Sequence, residues 1–249
     1  MGKLSGKIAI VTGGNSGIGL ATAQLFAAEG AQVVITGRRK AELDAAVAEI
    51  GHGAVGVPGD VSKLADLDAL YAEVKGKFGR IDILFANAGV CDLAPLSAVT
   101  EEHFDKLFDI NVKGLLFTVQ KALPLIVDGG AIILNSSIAN TTGLATFGVY
   151  SATKAAVRSF ARTWTAELKD RKIRVNAISP GPIETPIFGK LGLPAEQMQQ
   201  FDAQISAQVP LGRFGKADEI AKAVLFLASE DASYVAGVDL YVDGGMVAV

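Results

Sequence analysis

Residues 8–19 read Ile8-Ala9-Ile10-Val11-Thr12-Gly13-Gly14-Asn15-Ser16-Gly17-Ile18-Gly19, an apolar run that passes into a glycine cluster. An unbroken apolar run of this length marks a strand buried on both faces of a parallel sheet. Beyond the glycines, Ile18, Ala21, Leu25 and Ala28 recur at helical spacing. A glycine turn between such a strand and helix suits a pyrophosphate, because the backbone approaches closely and the helix N-terminus offers free N–H groups. The spacing is Gly-x-x-x-Gly-x-Gly (Gly13, Gly17, Gly19) rather than the common Gly-x-Gly-x-x-Gly. Leu20 and Ala21 stand where a nucleotide-triphosphate loop needs Lys and Ser or Thr, which excludes that motif. The turn therefore reads as a dinucleotide holder.

Outward from this turn, strands and helices alternate. Strands are expected at 33–35, 54–57, 81–85, 131–134, 173–178 and 238–242, and helices over 42–50, 64–74, 101–125, 151–168 and 217–228. Strands separated by single helices imply right-handed crossovers. The expected fold is α/β, a single-domain doubly wound (Rossmann) parallel sheet over 1–249 with helices on both faces. Residues 180–210 break the rhythm with prolines at 180, 182, 186, 194 and 210 and an amphipathic piece around 196–205. Because this excursion, at about 182–210, emerges from a strand end, it reads as a substrate lid rather than a plain surface loop.

Composition narrows the function. Of 249 residues, 50% are hydrophobic and 20% charged, which excludes disorder and permits one large core. A net charge of -3 with interspersed signs predicts no nucleic-acid or anionic-membrane partner. No apolar run reaches the ~18 residues of a membrane span, and the opening residues do not resemble a signal peptide. The single cysteine, Cys91, allows no internal disulfide and fits a reducing cytoplasm. The two histidines, His52 and His103, lack ligand spacing, so no metal centre is expected.

The place where an acidic side chain would grip an NAD ribose reads Thr36-Gly37-Arg38-Arg39-Lys40. Three successive cations and no carboxylate suit a 2′-phosphate, since one charge-assisted hydrogen bond contributes about 1.5–3 kcal/mol, or roughly tenfold to a hundredfold in preference. NADP (NADPH) is expected over NAD, against the plainer reading of Arg39 and Lys40 as a solvated helix start. Further along, Tyr150 and Lys154 lie at i and i+4, on one helical face. A phenol useful as a base near neutral pH needs its pKa lowered by roughly 3 units, about 4 kcal/mol. An ammonium ~5 Å away at an effective dielectric of ~20 supplies about 3 kcal/mol, and an oxidised nicotinamide ring is expected to supply the rest.

Taken with Asp60-Val61, Asn87-Ala88-Gly89, Asn111, Ser137 and Pro180-Gly181, the glycine turn and the Tyr150/Lys154 pair resemble the short-chain dehydrogenase/reductase family in order and spacing along essentially the whole chain. The resemblance implies hydride transfer between a nicotinamide and a small-molecule carbonyl or alcohol. It implies Tyr150 as general acid/base, Ser137 bonding the substrate oxygen, Lys154 holding the nicotinamide ribose and Asn111 supporting a water-borne proton relay. Asn15, Ser16 and Ile18 within the turn, with Arg38 and Arg39, complete the phosphate contacts. Asp60 and Val61 would flank the adenine, Asn87, Ala88 and Gly89 the adenosine side, and Pro180, Gly181, Ile183 and Thr185 the nicotinamide. Relatives assemble as homotetramers, and Trp164 with Phe160 and Ala161 would suit such an interface.

Several details are left to test. Asn140 stands where many relatives have glycine and is expected to alter the loop over 138–147. The acidic stretch Val127-Asp128-Gly129-Gly130 disfavours an acyl-carrier-protein substrate, with Arg171 as the one candidate docking cation. Phe26, Phe85, Phe108 and Phe117 are expected in the core, and Cys91 as an unactivated pocket residue. Rival functions are an NAD-dependent alcohol, steroid or sugar dehydrogenase, a 3-oxoacyl-carrier-protein reductase, and a non-catalytic dinucleotide sensor.

Overall fold

The computed structural model describes residues 2–185 and 195–249. In the first half, strands β1 (Ile8–Thr12), β2 (Gln32–Gly37), β3 (Val55–Pro58) and β4 (Ile81–Ala86) alternate with helices α1 (Gly17–Ala28), α2 (Lys40–Ile50) and α3 (Leu64–Phe78). Then follow α4 (Glu101–Phe108), α5 (Leu115–Ala122), β5 (Ile126–Asn135), α6 (Gly148–Glu167) and β6 (Arg174–Pro180). The chain closes through β7 (Ile183–Glu184), α7 (Ala195–Gln208), β8 (Gly215–Lys216), α8 (Ala217–Ala228) and β9 (Asp239–Val242). A seven-stranded parallel sheet forms in the order β3-β2-β1-β4-β5-β6-β9, which is the expected doubly wound α/β fold.

The apolar strand runs explain the layering. Ala9 and Val11 of β1 join one core cluster while Ile10 joins the other. Val33 and Ile35 against Val34, and Ala131 and Ile133 against Ile132, repeat that division. Alternation along a strand sends successive side chains to opposite faces, and here both faces are covered. Phe26 and Leu43 pack on the first face from α1 and α2, and Ile220 and Val224 from α8. Leu70, Val119 and Val157, from α3, α5 and α6, pack on the second. Because β1 pairs with both β2 and β4, the winding reverses there, and the carboxyl ends of β1 and β4 frame a crevice that places the site.

Three expectations are corrected. The single helix over 101–125 is interrupted by a π-helical stretch, Asp109–Gly114, that separates α4 from α5. Such a bulge re-aims side chains and commonly marks a functional position. Phe26 and Phe85 are fully buried, but Phe108 and Phe117 are only partly so. Phe108 stacks on the 44% exposed Phe104, with ring centroids 4.3 Å apart. Arg171 is no docking cation: its guanidinium donates to the Leu123 carbonyl at 3.0 Å, to Asp128 Oδ1 at 2.9 Å and to the Ile126 carbonyl. Asp128 lies within residues 127–130, where β5 departs from its register with β4. Among the described residues no helix is long and apolar enough to cross a membrane.

Candidate active site

The glycine turn is fastened to its neighbours before any ligand is considered. Thr12 Oγ1 accepts hydrogen bonds from the backbone N–H groups of Asn87 and Ala88, both at 3.0 Å. Asn87 Nδ2 donates to the carbonyls of Thr12 (2.9 Å) and Gly13 (3.2 Å), while its Oδ1 accepts from Asn135 at 2.9 Å. Gly13 has φ of 65°, and a Cβ on Gly19 would lie 2.2 Å from the Gly13 carbonyl oxygen, so both positions require glycine. Ser16 caps α1 in an extended conformation without a side-chain capping bond, and the first turn, which includes Ile18, holds no acid. Those amides and the positive end of the helix are available to a phosphate. This cradle fits the pyrophosphate of a dinucleotide.

At the adenine end the three consecutive cations separate. Arg38, half-exposed, faces Asp60 with Nη1 3.9 Å from Oδ2, and both residues line an open cleft with Pro58, Gly59, Lys63 and Asp66. Arg39, expected to share the phosphate, instead pairs with Glu42 at 2.6 Å, and Lys40 pairs with Asp44 at 2.7 Å. The i,i+3 and i,i+4 spacing of those carboxylates carried this signal in the sequence. A Cβ on Gly37 would come within 2.5 Å of Asn15 Oδ1, so Asn15 fills the place of any longer side chain there. Asp60 is held through Ser62, whose N–H and hydroxyl donate to Oδ1 at 3.0 and 2.7 Å. Val61 is buried in the core with a methyl against Gly114.

The catalytic candidates converge beside this crevice. Tyr150 and Lys154 lie on α6, and Lys154 Nζ sits 5.6 Å from the Tyr150 ring centroid. Lys154 is buried and donates to the Asn135 carbonyl at 2.8 Å. Gly89 borders both Lys154 Nζ and Asn111 Oδ1, and a Cβ there would stand 3.6 and 3.2 Å from them. Ser137 opens a 3-10 turn, Ile138–Asn140, its hydroxyl accepts from the Ala139 N–H at 3.2 Å, and it lies close enough to the Tyr150 phenol to lower that group's proton affinity. Ala88 and Gly89 thus join the turn of β1 to the catalytic pair.

Burial decides the proton affinities. It pushes the Lys154 ammonium from 10.5 down to about 8, partly countered by Cys91. It pushes the half-buried phenol of Tyr150 above its ordinary value, with Cys91 adding to the rise and the Ser137 hydrogen bond opposing it. In the protein alone desolvation dominates the phenol, and the expected lowering also draws on the positive charge of an oxidised nicotinamide ring. Cys91 is itself raised to about 11, chiefly by burial, which leaves a neutral thiol and fits a pocket wall.

Asn111 is buried at the π-helical stretch. Its Nδ2 donates to the Val90 carbonyl (2.9 Å) and Thr153 Oγ1 (3.2 Å), and its Oδ1 accepts from the Val90 N–H (2.9 Å). Both amide hydrogens are used, so the side chain clamps the loop bearing Cys91 to α6. Pro180 ends β6, and Gly181 packs so tightly on Asp243 that a Cβ would meet its Cα at 2.7 Å. Ile183 is buried and pairs with Gly215, tying the two ends of the excursion together. Thr185 is the last residue before 186–194; Pro186 and Pro194 lie outside the described residues, and α7 covers the amphipathic piece. Asn140, expected only to perturb its loop, is the centre of a hydrogen-bond cluster.

Sheet, phosphate cradle and Tyr/Lys pair together define a dinucleotide-dependent oxidoreductase. The family model described as enoyl-(acyl carrier protein) reductase matches residues 13–247, and the chain belongs to the short-chain dehydrogenase/reductase family. It is similar to oxidoreductase asL5 of Sarocladium schorii, 45% identical over 99% of this chain and 98% of that protein. The 3-oxoacyl-(acyl-carrier-protein) reductase FabG of Thermotoga maritima is 40% identical over 98% of this chain and 99% of its own length. A solved short-chain type dehydrogenase/reductase from Mycobacterium marinum superposes with a TM-score of 0.91 at 32% identity, over 99% of this chain and 97% of that one.

Proposed function

We propose that the protein is an NADP(H)-dependent carbonyl reductase that interconverts a small-molecule ketone or aldehyde and its alcohol. The observation carrying this reading is the convergence of the half-buried Ser137 and Tyr150 with the buried Lys154 ammonium in one corner beside the glycine turn. The dinucleotide supplies the hydride that adds to the carbonyl carbon. Ser137 donates a hydrogen bond to the substrate oxygen and holds it at the phenol. Tyr150 delivers its proton to that oxygen as negative charge builds there; a phenol raised above its ordinary pKa is protonated at neutral pH, as the reductive direction requires. Lys154, still largely protonated at pH 7, stabilises the tyrosinate left behind.

NADP is favoured by Arg38 at the adenine cleft and by Gly37, not an acid, at the end of β2. The weak, half-exposed contact of Arg38 with Asp60 costs little to exchange for a phosphate. Residues 182–210 act as the substrate lid within a single domain, and the family resemblance supports a cytoplasmic homotetramer. A second reading, 3-oxoacyl-carrier-protein reduction, is favoured by the FabG relative and disfavoured by the locked Arg171.

The test is steady-state kinetics with NADPH and NADH over a panel of activated ketones, on wild type and Tyr150→Phe. The expected outcome is higher kcat/KM with NADPH and a loss of about a thousandfold in kcat for Tyr150→Phe. Near wild-type turnover by Tyr150→Phe removes the acid/base assignment. Tight NADPH binding with no carbonyl turned over favours a sensor.

A further inference from the structure

Three side chains of α6 fall at i, i+4 and i+8 on one helical stripe: Tyr150, Lys154 and Arg158. The first two belong to the reacting corner. The third, Arg158, pairs with Asp239 at the start of β9, with Nε 3.4 Å from Oδ2. Asp239 belongs to the last strand of the sheet, yet its side chain is only 7% exposed. Its Oδ1 accepts from Ser179 Oγ of β6 at 2.5 Å, and its Oδ2 accepts from Asn140 Nδ2 at 2.8 Å.

Asn140 extends the cluster toward the site. Its Nδ2 also lies 2.9 Å from Ser136 Oγ and 2.9 Å from Ser179 Oγ, and its Oδ1 accepts from the Tyr241 hydroxyl at 3.3 Å. Ser136 Oγ in turn donates to the Lys154 backbone carbonyl at 3.0 Å. Ser137 is thus bracketed by two tethered residues, Ser136 before it and Asn140 at the end of its turn. Both arms that leave Asp239, one through Arg158 and one through Asn140, finish on the turn of Ser137 or on the helix of Tyr150.

We propose that Asp239 and Asn140 are positioning residues that clamp the Ser137 turn against the catalytic stripe of α6 and so set the distance between the Ser137 hydroxyl and the phenol. An ion pair whose arginine is partly exposed is weak as a source of stability, because solvent screens its attraction. What a directional network supplies is register, and an error of about 1 Å at reacting groups can cost on the order of a hundredfold in rate. The cofactor cradle contains no member of the clamp: Thr12, the glycines, Arg38 and Asp60 are held by other partners. Loosening the clamp is therefore expected to slow the chemical step without weakening the dinucleotide.

This inference rests on the reading of Tyr150 and Ser137 as the reacting pair, and the experiment separates the two. Asn140→Ala, Ser137→Ala and the double variant are compared by kcat with NADPH and ethyl 4-chloroacetoacetate, and by NADPH binding from its fluorescence. Asn140→Ala is expected to lose about tenfold in kcat, with an NADPH dissociation constant within about twofold of wild type (well under 1.4 kcal/mol). If Asn140 acts through Ser137, the double variant is no slower than Ser137→Ala alone. Asp239→Asn, which keeps an acceptor for Asn140 but loses the charge facing Arg158, is expected to fall between wild type and Asn140→Ala. Fully multiplicative losses, or an unchanged kcat in Asn140→Ala, overturn the clamp. Undiminished turnover by Ser137→Ala or Tyr150→Phe instead overturns the functional reading beneath it. Should Asn140→Ala fail to fold, Ser179→Ala, which removes one hydroxyl of the same cluster, gives the same cycle with the same criteria.

Discussion

The glycine turn and the catalytic corner share one edge of the sheet but are made in opposite ways. The turn is contiguous, Thr12 to Gly19, and offers backbone N–H groups whose direction is set by local conformation. The corner is assembled from three separate elements, Asn111 on the π-helical stretch, Ser137 before its 3-10 turn and Tyr150 with Lys154 on α6, and its proton-carrying groups are the phenol and the ammonium. A backbone cradle keeps its partial charges whatever surrounds it. A half-buried phenol and a buried ammonium do not: their proton affinities follow desolvation, which raises the one and lowers the other. The difference teaches that short-range spacing suffices to shape a backbone cradle, while the proton affinities of a cluster of side chains are set by its surroundings.

That contrast can be broken most forcefully at Lys154. Lys154→Met is expected to lower kcat by about a hundredfold or more. Burial holds the ammonium at about 8 in the folded chain against 10.5 when exposed. Between those values the unfolded chain binds the proton that the folded chain has shed, so stability rises with pH. The cost of the buried charge is fully present below pH 8 and relieved toward 10.5. Wild type is therefore expected to gain about 3 kcal/mol relative to Lys154→Met across that window. Denaturant unfolding at pH 7 and pH 10.5 measures this, and parallel behaviour of the two proteins would show that Lys154 is not desolvated.

Gly19→Ala probes the other region, where charge is not at issue. Its Cβ would meet the Gly13 carbonyl at 2.2 Å, and strain of about 1–3 kcal/mol predicts NADPH binding weakened roughly tenfold to a hundredfold. The effect should be the same at pH 6 and pH 9, in contrast to Lys154→Met; a pH-dependent loss would mean that the cradle is not purely a backbone device. Arg38→Ala is the smallest of the three. It is expected to reduce the ratio of kcat/KM for NADPH over NADH about tenfold. An unchanged ratio removes the phosphate role of Arg38, whichever cofactor the wild type prefers.

Much of the architecture was readable because parallel strands buried on both faces are apolar at most positions. The runs around Ile10, Val34, Leu84, Ile132 and Val175 accordingly stand out, and α8 begins and ends where its periodicity does. The interruption at Asn111 was not readable, since it depends on Val90, a partner 21 residues away. Arg171 looked like a free cation for the same reason, its carboxylate being 43 residues distant. Arg39 is different. Its partner Glu42 was in plain view three residues on, and the helical pairing rule was enough to expect that contact.

The amino-acid order alone determined the strand–helix alternation, the glycine turn and the placement of Tyr150 and Lys154 on one helical face, because these depend on conformational preference and spacing over a few residues. Tertiary structure decided which charges remain available, which direction each proton affinity moves, and that Asn140 joins Asp239 at the edge of the sheet. Those outcomes depend on desolvation and on contacts between residues up to 99 positions apart, and burial is a property of the assembled core that no local stretch carries.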